Sequence, residues 1–216
     1  MLERFVKQTK FTSQEDFIKN FKVEVPENFN FGYDIVDAWA AEQPDKKAIL
    51  WTNDQGAAHQ YTFAELKEKT DATASYFQSL GIGHGDMVML ILKRRIEFWF
   101  SIIALHKLGA VVIPATHLLT KKDIIYRANS AGVKLIAAAA DEYAISQVEA
   151  ARPECTTVEN YVLAGENREG WINLTESIFE AEPFNGGRVT TNEDTLIVYF
   201  TSGTTGMPKM VAHKQT

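Results

Sequence analysis

The sequence predicts an α/β fold in which a parallel or mixed sheet carries helices on both faces. Three short runs, at 87–92, 110–114 and 134–138, are almost entirely apolar, which is typical of strands that are buried on both faces of a sheet. Segments of helical length separate these runs. The alternation of strand and helix from residue 87 to residue 163 is the pattern of parallel β-α-β units.

The first sixty residues predict two helices and a hairpin. Ser13 is a suitable N-cap for a helix over 13–21, and a second helix is expected over 33–42. Two β-prone segments, 47–51 and 59–61, flank a turn-forming stretch of Asn, Asp, Gln and Gly. This arrangement predicts a β-hairpin that precedes the alternating region.

Hydroxyl residues mark the starts of two central helices. Thr62 followed by Glu65 forms a capping box, which predicts that a helix begins there. Thr120 is the expected cap of a helix over 121–130. The segment between them, 96–108, is apolar nearly all round and predicts a buried helix that is too short to cross a bilayer.

The last third of the chain predicts a change of organisation. A helix over 141–151 and a strand over 157–163 complete the alternating region. Residues 164–192 contain several glycines and are expected to form a loose connection to a strand over 195–200. We therefore expect an N-terminal α/β subdomain over residues 1–190 and the start of a second, truncated subdomain over residues 191–216.

Composition excludes several classes of protein. The chain of 216 residues is 45% hydrophobic, which is enough for a packed core and excludes disorder by composition. A net charge of -6 gives no support for nucleic-acid binding. The single cysteine, Cys155, excludes an intramolecular disulfide, and the five scattered histidines predict no metal site. We expect no membrane span and a cytoplasmic location.

The segment that carries chemistry directly follows the strand over 195–200. It consists of Thr201, Ser202, Gly203, Thr204, Thr205, Gly206, Met207, Pro208 and Lys209. Glycines allow the backbone to approach a ligand closely, consecutive amides can surround an anion, and a lysine supplies a point charge for phosphate. The spacing differs from that of the usual P-loop, and Pro208 argues against a helix that starts with the lysine in its first turn. The sequence therefore predicts a loop that binds a polyphosphate.

This segment closely resembles the signature loop of the adenylate-forming enzymes, which include the acyl-CoA synthetases. The segments 61–66 and 105–114 resemble two further motifs of the same superfamily, and we give both of them structural roles. Met210 after the lysine, Ala115-Thr116 after Pro114, and the aromatic stretch 97–100 resemble the medium-chain acyl-CoA synthetase branch. The resemblance covers most of the chain and implies the N-terminal portion of the adenylate-forming enzyme fold.

The resemblance also implies an activity. Members of the family use ATP to convert a carboxylic acid, here a fatty or aromatic one, into acyl-AMP and then, with coenzyme A, into acyl-CoA. By resemblance, residues 201–205 would hold the β- and γ-phosphates of ATP, with residues 206–208 in the same loop. Lys209 would be catalytic by offsetting charge on the departing pyrophosphate.

The family's magnesium-binding glutamate, its hinge and its C-terminal lysine follow this loop at positions beyond residue 216. We therefore expect that Mg²⁺ and coenzyme A act in the full-length enzyme, and that the 216-residue chain is inactive alone and binds ATP weakly or not at all. An alternative is a non-catalytic nucleotide-binding or interaction module with the same fold. The strand over 195–200 is expected to be an exposed sheet edge, which allows a homodimer.

Overall fold

The strands of the protein form two sheets. The structure is a computed structural model that describes residues 2–202 and 206–216. The strands in this part of the chain are β1 (Lys47–Thr52), β2 (Ala58–Thr62), β3 (Met87–Ile91), β4 (Val111–Pro114), β5 (Val133–Ala139), β6 (Asn160–Ala164), β7 (Ile172–Asn173), β8 (Thr195–Thr201) and β9 (Lys209–Lys214). Strands β1 and β2 form an antiparallel hairpin.

Within the described ranges, the remaining strands form a seven-stranded sheet in the order β7-β6-β5-β3-β4-β8-β9. Every neighbouring pair in it is parallel except β8 and β9, which are antiparallel. The carboxyl ends of β3 to β8 therefore lie along one side of the sheet, which we call its carboxyl edge. The predicted sheet of mainly parallel strands is confirmed.

The helices in the described part of the chain are α1 (Gln14–Asn20), α2 (Ala38–Glu42), α3 (Phe63–Ser79), α4 (Ile96–Leu108), α5 (Lys121–Ala131), α6 (Glu142–Ala151) and α7 (Leu174–Glu180), and a π-helical stretch, Gly32–Asp37, leads into α2. Helices α3 to α7 cover both faces of the seven-stranded sheet. Successive residues of a strand point to opposite faces. Accordingly, Val88 and Leu90 of β3 pack with α3, α4 and α7, whereas Met89 and Ile91 pack with α5 and α6.

The helix boundaries follow the signals in the sequence. The predicted capping box is present at α3, where Glu65 N–H donates to Thr62 Oγ1 and Thr62 N–H donates to the Glu65 carboxylate. Thr120 and Asp123 form a second one at α5. Helix α4 is buried along most of its length, although Trp99 is half exposed. The predicted helices and hairpin are therefore confirmed to within about two residues at their ends, except that the first part of the helix expected over 33–42 is the π-helical stretch Gly32–Asp37.

Two regions differ from expectation. The connection 164–192 contains β7 and α7, whose Leu174 and Ile178 are buried in the core. The strand over 195–200 is not a sheet edge, because among the described residues β8 lies between β4 and β9. The expectation of an exposed edge at β8 is therefore wrong. Because β8 is paired on both sides within the described part of the chain, it offers no free edge for the expected homodimer. The division at residue 190 stays a prediction, although β8 belongs to the same sheet as β3 to β6.

Candidate functional site

The predicted phosphate-binding segment is the turn of a β-hairpin. Strand β8 ends at Thr201, strand β9 begins at Lys209, and these two residues are paired in the antiparallel register. The chain between them therefore leaves and re-enters the sheet at one place. Because β8 runs parallel to β4, this turn lies at the carboxyl edge of the sheet, where α/β proteins bind their ligands.

The structure places the ends of the predicted site. Thr201 and Ser202 are exposed at the end of β8, and Gly206, Met207 and Pro208 lead into β9. Gly203, Thr204 and Thr205 lie outside the described residues. Gly206 has φ +151° and open space where a side chain would begin, so it suits a close approach by a ligand. A strand and not a helix follows Pro208, as the sequence indicated.

The side chain of Lys209 is available for an anion. Lys209 is exposed at the first position of β9. No carboxylate in residues 2–202 and 206–216 forms an ion pair with its ammonium group. By contrast, Lys214 at the other end of β9 is paired with Glu193.

Helix α5 holds the base of this hairpin, a contact that sequence analysis did not find. The hydroxyl of Tyr126 donates to the carbonyl oxygen of Pro208 at 2.8 Å. The Tyr126 ring also meets Phe200 edge to face, with centroids 6.2 Å apart, and the Arg127 guanidinium lies 5.3 Å from the Phe200 ring centroid. A tyrosine at the middle of a predicted helix gives no signal in the sequence that it reaches a loop over 80 residues away.

A cleft of about 590 Å³ also lies at the carboxyl edge of the sheet. Its lining includes the residues that follow β3 (Lys93, Arg94 and Arg95), the last residue of β5 and the one after it (Ala139 and Ala140), His117, and the β1–β2 turn (Asn53, Asp54 and Gln55). The connection after β3 leads to β4 on one side, whereas that after β5 leads to β6 on the other. The cleft therefore lies at a topological switch point, the usual place for a ligand in an open α/β sheet.

The cationic wall of this cleft is held by specific contacts. Arg95 makes two hydrogen bonds to the buried carboxylate of Glu97, at 2.7 and 3.0 Å, and Thr175 donates to the same carboxylate at 2.7 Å. Burial raises the pKa of Glu97, but these hydrogen bonds outweigh it and the net pKa is lowered. Trp51 donates its indole N–H to the carbonyl oxygen of Arg94 at 2.8 Å. Arg94 itself is exposed, so its charge faces solvent at the cleft.

The described part of the chain lacks two kinds of feature. In it, no three His, Cys, Asp or Glu side chains are grouped so that they could hold a metal ion. No helix within residues 2–202 and 206–216 has the length and apolar character needed to cross a membrane.

Comparison with protein families matches residues 36–216 to the family described as AMP-binding enzyme. The chain belongs to this family. It is 36% identical over 201 residues to the acyl-coenzyme A synthetase ACSM5, mitochondrial, of Rattus norvegicus, and the match covers 90% of the chain and 34% of the relative. It is 34% identical over 210 residues to the human ACSM3, mitochondrial, covering 94% and 36%. The predicted resemblance to the N-terminal part of an acyl-CoA synthetase of the medium-chain branch is confirmed.

Two solved structures share the fold of this chain. One is the anthranilate CoA ligase AuaEII in complex with anthranoyl-AMP, with a TM-score of 0.78, 23% identity, and coverage of 88% of this chain and 36% of that one. The other is the Mycobacterium tuberculosis fatty acyl CoA synthetase, with a TM-score of 0.74, 23% identity, and coverage of 86% and 34%. The expected adenylate-forming fold is confirmed.

Two facts about the relatives bear on the earlier expectations. The chain spans about a third of their length. The expected cytoplasmic location is contradicted, because the acyl-coenzyme A synthetases ACSM5 and ACSM3 named above are mitochondrial proteins. The expectation failed because a low cysteine content does not distinguish one reducing compartment from another.

Proposed function

We propose that this chain supplies the ATP-phosphate site of an acid–CoA ligase. The observation that carries the proposal is the position of the Thr201–Lys209 turn at the carboxyl edge of the sheet, in a chain of the AMP-binding enzyme family. The exposed hydroxyls of Thr201 and Ser202, the glycines of the segment and the exposed ammonium of Lys209 match the groups that a polyphosphate requires. The substrates are ATP, a fatty or aromatic carboxylic acid, and coenzyme A.

The reaction proceeds in two steps. A carboxylate oxygen attacks the α-phosphorus of ATP, the bond to the bridging oxygen of pyrophosphate breaks, and acyl-AMP forms. The thiol of coenzyme A then attacks the acyl carbon, loses its proton, and expels AMP. Phosphoryl-type transfer depends mainly on positioning and on neutralising charge. Residues 201–205 would hold the β- and γ-phosphates, with 206–208 in the same loop, and Lys209 would stabilise the negative charge that develops on pyrophosphate.

We also propose that the cleft between β3 and β5 accepts an anionic part of a substrate. Coenzyme A carries phosphates, and the cleft presents Lys93, Arg94 and His117 at the same sheet edge as the hairpin turn. Lys93 is partly neutralised by Asp141 at 2.8 Å, which leaves Arg94 as the more available cation. No described residue of the turn is a carboxylate, so we assign no Mg²⁺ ligand to this chain.

The chain spans about a third of its relatives, and we propose that it does not complete a turnover alone. We expect a mitochondrial location by similarity to those relatives. The test is a chimera in which this chain replaces the matching third of the rat ACSM5. The measurement is the exchange of labelled pyrophosphate into ATP that depends on added carboxylic acid, which reports the first step alone.

The chimera is expected to catalyse exchange, and its Lys209→Ala variant to be slower by about tenfold or more, as for loss of a charge that acts in the transition state. Lys214→Ala, on the same strand but paired with Glu193, is the matched control and is expected to retain activity. A folded chimera that shows no exchange with fatty or aromatic acids, beside an active unmodified ACSM5, would contradict the proposal.

A further inference from the structure

The contact between Tyr126 and Pro208 is the link between the hairpin turn and the helical layer. In the described part of the turn, it is the hydrogen bond that joins this segment to another element, at 2.8 Å. Pro208 has no backbone N–H and a fixed φ, so its carbonyl oxygen is the group by which it can be held. Lys209, the proposed phosphate ligand, is the next residue.

The helix that carries Tyr126 is well suited to fix a loop. Helix α5 begins with the Thr120–Asp123 capping box and ends at Gly132, which has the left-handed conformation of a helix C-cap. Ile124 and Ala128 on the inner side of the helix are buried in the core. The Tyr126 hydroxyl therefore belongs to a helix whose position is fixed by core packing and by the caps at both of its ends.

The base of the turn packs against the same helix. Phe200 is packed against the core cluster that contains Val198 and the inner side of α5. Tyr126 contacts it edge to face, and Arg127 lies over its ring. Aromatic contacts of this kind fix ring orientation as well as burying area. Both arms of the hairpin are thus attached to α5, β8 through the Phe200 side chain and the entry to β9 through the Pro208 carbonyl.

We infer that Tyr126 is a positioning residue for the phosphate-binding turn. It holds the end of the turn against α5 and so fixes where the Lys209 ammonium projects. The part of this inference that concerns phosphate rests on the proposed function, whereas the part that concerns anchoring stands on the contacts alone. Tyr126 does not touch the reacting atoms; it acts through Pro208 and Lys209.

The first test is hydrogen–deuterium exchange of the 216-residue chain without ligand. Tyr126→Phe keeps the ring contact with Phe200 and removes only the hydroxyl. Loss of one hydrogen bond is expected to raise amide exchange in the segment 206–211 by about fivefold, while exchange in β3 stays unchanged. Tyr143→Phe, at an exposed tyrosine of α6, is the matched control. Equal exchange of wild type and Tyr126→Phe in 206–211 would overturn the anchoring.

The second test is titration with ATP of the same three proteins by calorimetry. Tyr126→Phe is expected to weaken ATP binding by about threefold to tenfold at unchanged thermal stability, because a displaced turn presents Lys209 in the wrong place. Faster exchange in 206–211 with unchanged ATP affinity would refute the positioning role. Absence of ATP binding by the wild type would count against the proposed function, and the exchange experiment would still decide the anchoring.

Discussion

Thr201 and Lys209 are opposite partners in the antiparallel pair of β8 and β9, so the predicted phosphate-binding segment begins and ends at one point of the sheet. A loop that is closed by a strand pair loses less entropy on binding than a free segment, because its ends are already together. The lysine is also fixed relative to the last residue of β8. The two described ends of the segment are therefore held together by the sheet.

The first prediction concerns the buried ion cluster beneath the N-terminal helices. Lys107 of α4 is fully buried, and its Nζ lies 2.6 Å from Asp37 Oδ1 and 2.6 Å from Asp71 Oδ1. Burial raises the pKa of Asp37, an effect that the Lys107 ammonium opposes. Lys107→Ala leaves two carboxylates without this partner and is expected to lower the free energy of unfolding by about 3–5 kcal/mol. Chemical denaturation measures this loss.

Lys67 provides the control for that prediction. It also pairs with Asp71, at 2.5 Å, but its side chain is 44% exposed. Lys67→Ala is therefore expected to cost about 1 kcal/mol or less. If the Lys107 and Lys67 variants unfold at the same denaturant concentration, burial does not set the strength of this cluster and the interpretation is wrong.

The second prediction concerns the glycine that ends α4. Gly109 has φ +70°, and a Cβ there would lie 2.7 Å from His84 Cδ2 and 3.1 Å from Thr190 Cγ2. Gly132 at the end of α5 has φ +65° but open space around the same position. Alanine at either site costs about 1–2 kcal/mol for the backbone conformation. Gly109→Ala is expected to cost about 1–3 kcal/mol more because of overpacking, as measured by urea denaturation. An equal loss at both sites would show that the neighbours of Gly109 yield without cost.

The third prediction concerns the pH dependence of stability. His106 is buried against Phe31, and burial lowers its pKa to about 4. An unfolded histidine has a pKa of about 6.5, so the unfolded chain binds the proton first as the pH falls. This histidine therefore contributes its full stabilisation above about pH 6.5 and loses it as the pH falls towards 4, a change of about 3 kcal/mol.

The variant His106→Leu tests this contribution. It is expected to flatten the fall in the free energy of unfolding between pH 6.5 and pH 4.5 relative to wild type. His213→Gln, at an exposed histidine of β9, is the control and should leave this fall in the free energy of unfolding unchanged. If the free energy of unfolding of His106→Leu falls with pH as steeply as that of the wild type, His106 does not stay neutral in the folded protein.

Local signals in the sequence were sufficient for much of the fold. The cap at Thr62, the cap at Thr120 and the apolar runs of β3 to β5 each depend on neighbouring residues, and the structure has each of these elements. Helix α7 was missed although Asn173 caps it and Leu174 and Ile178 have helical spacing, because the surrounding glycines suggested a loop. That signal was present and could have been used.

Contacts between distant parts of the chain could not be predicted in this way. Lys107 meets partners that lie 70 and 36 positions away, and Tyr126 meets Pro208 across 82 positions. The position of β8 between β4 and β9 depends on the order of strands in the sheet, which periodicity does not encode. The sequence therefore indicated the chemistry of the turn, and only the fold shows what holds it.

The most direct test of the central claim is ATP binding by the 216-residue chain, measured by titration calorimetry for wild type, Lys209→Ala and the control Lys214→Ala. The account predicts weak binding by wild type and Lys214→Ala, and an affinity lower by about tenfold in Lys209→Ala, because a charge-assisted contact to phosphate is lost. Equal affinity of wild type and Lys209→Ala, or no binding by wild type, would contradict the assignment of this turn as a phosphate site.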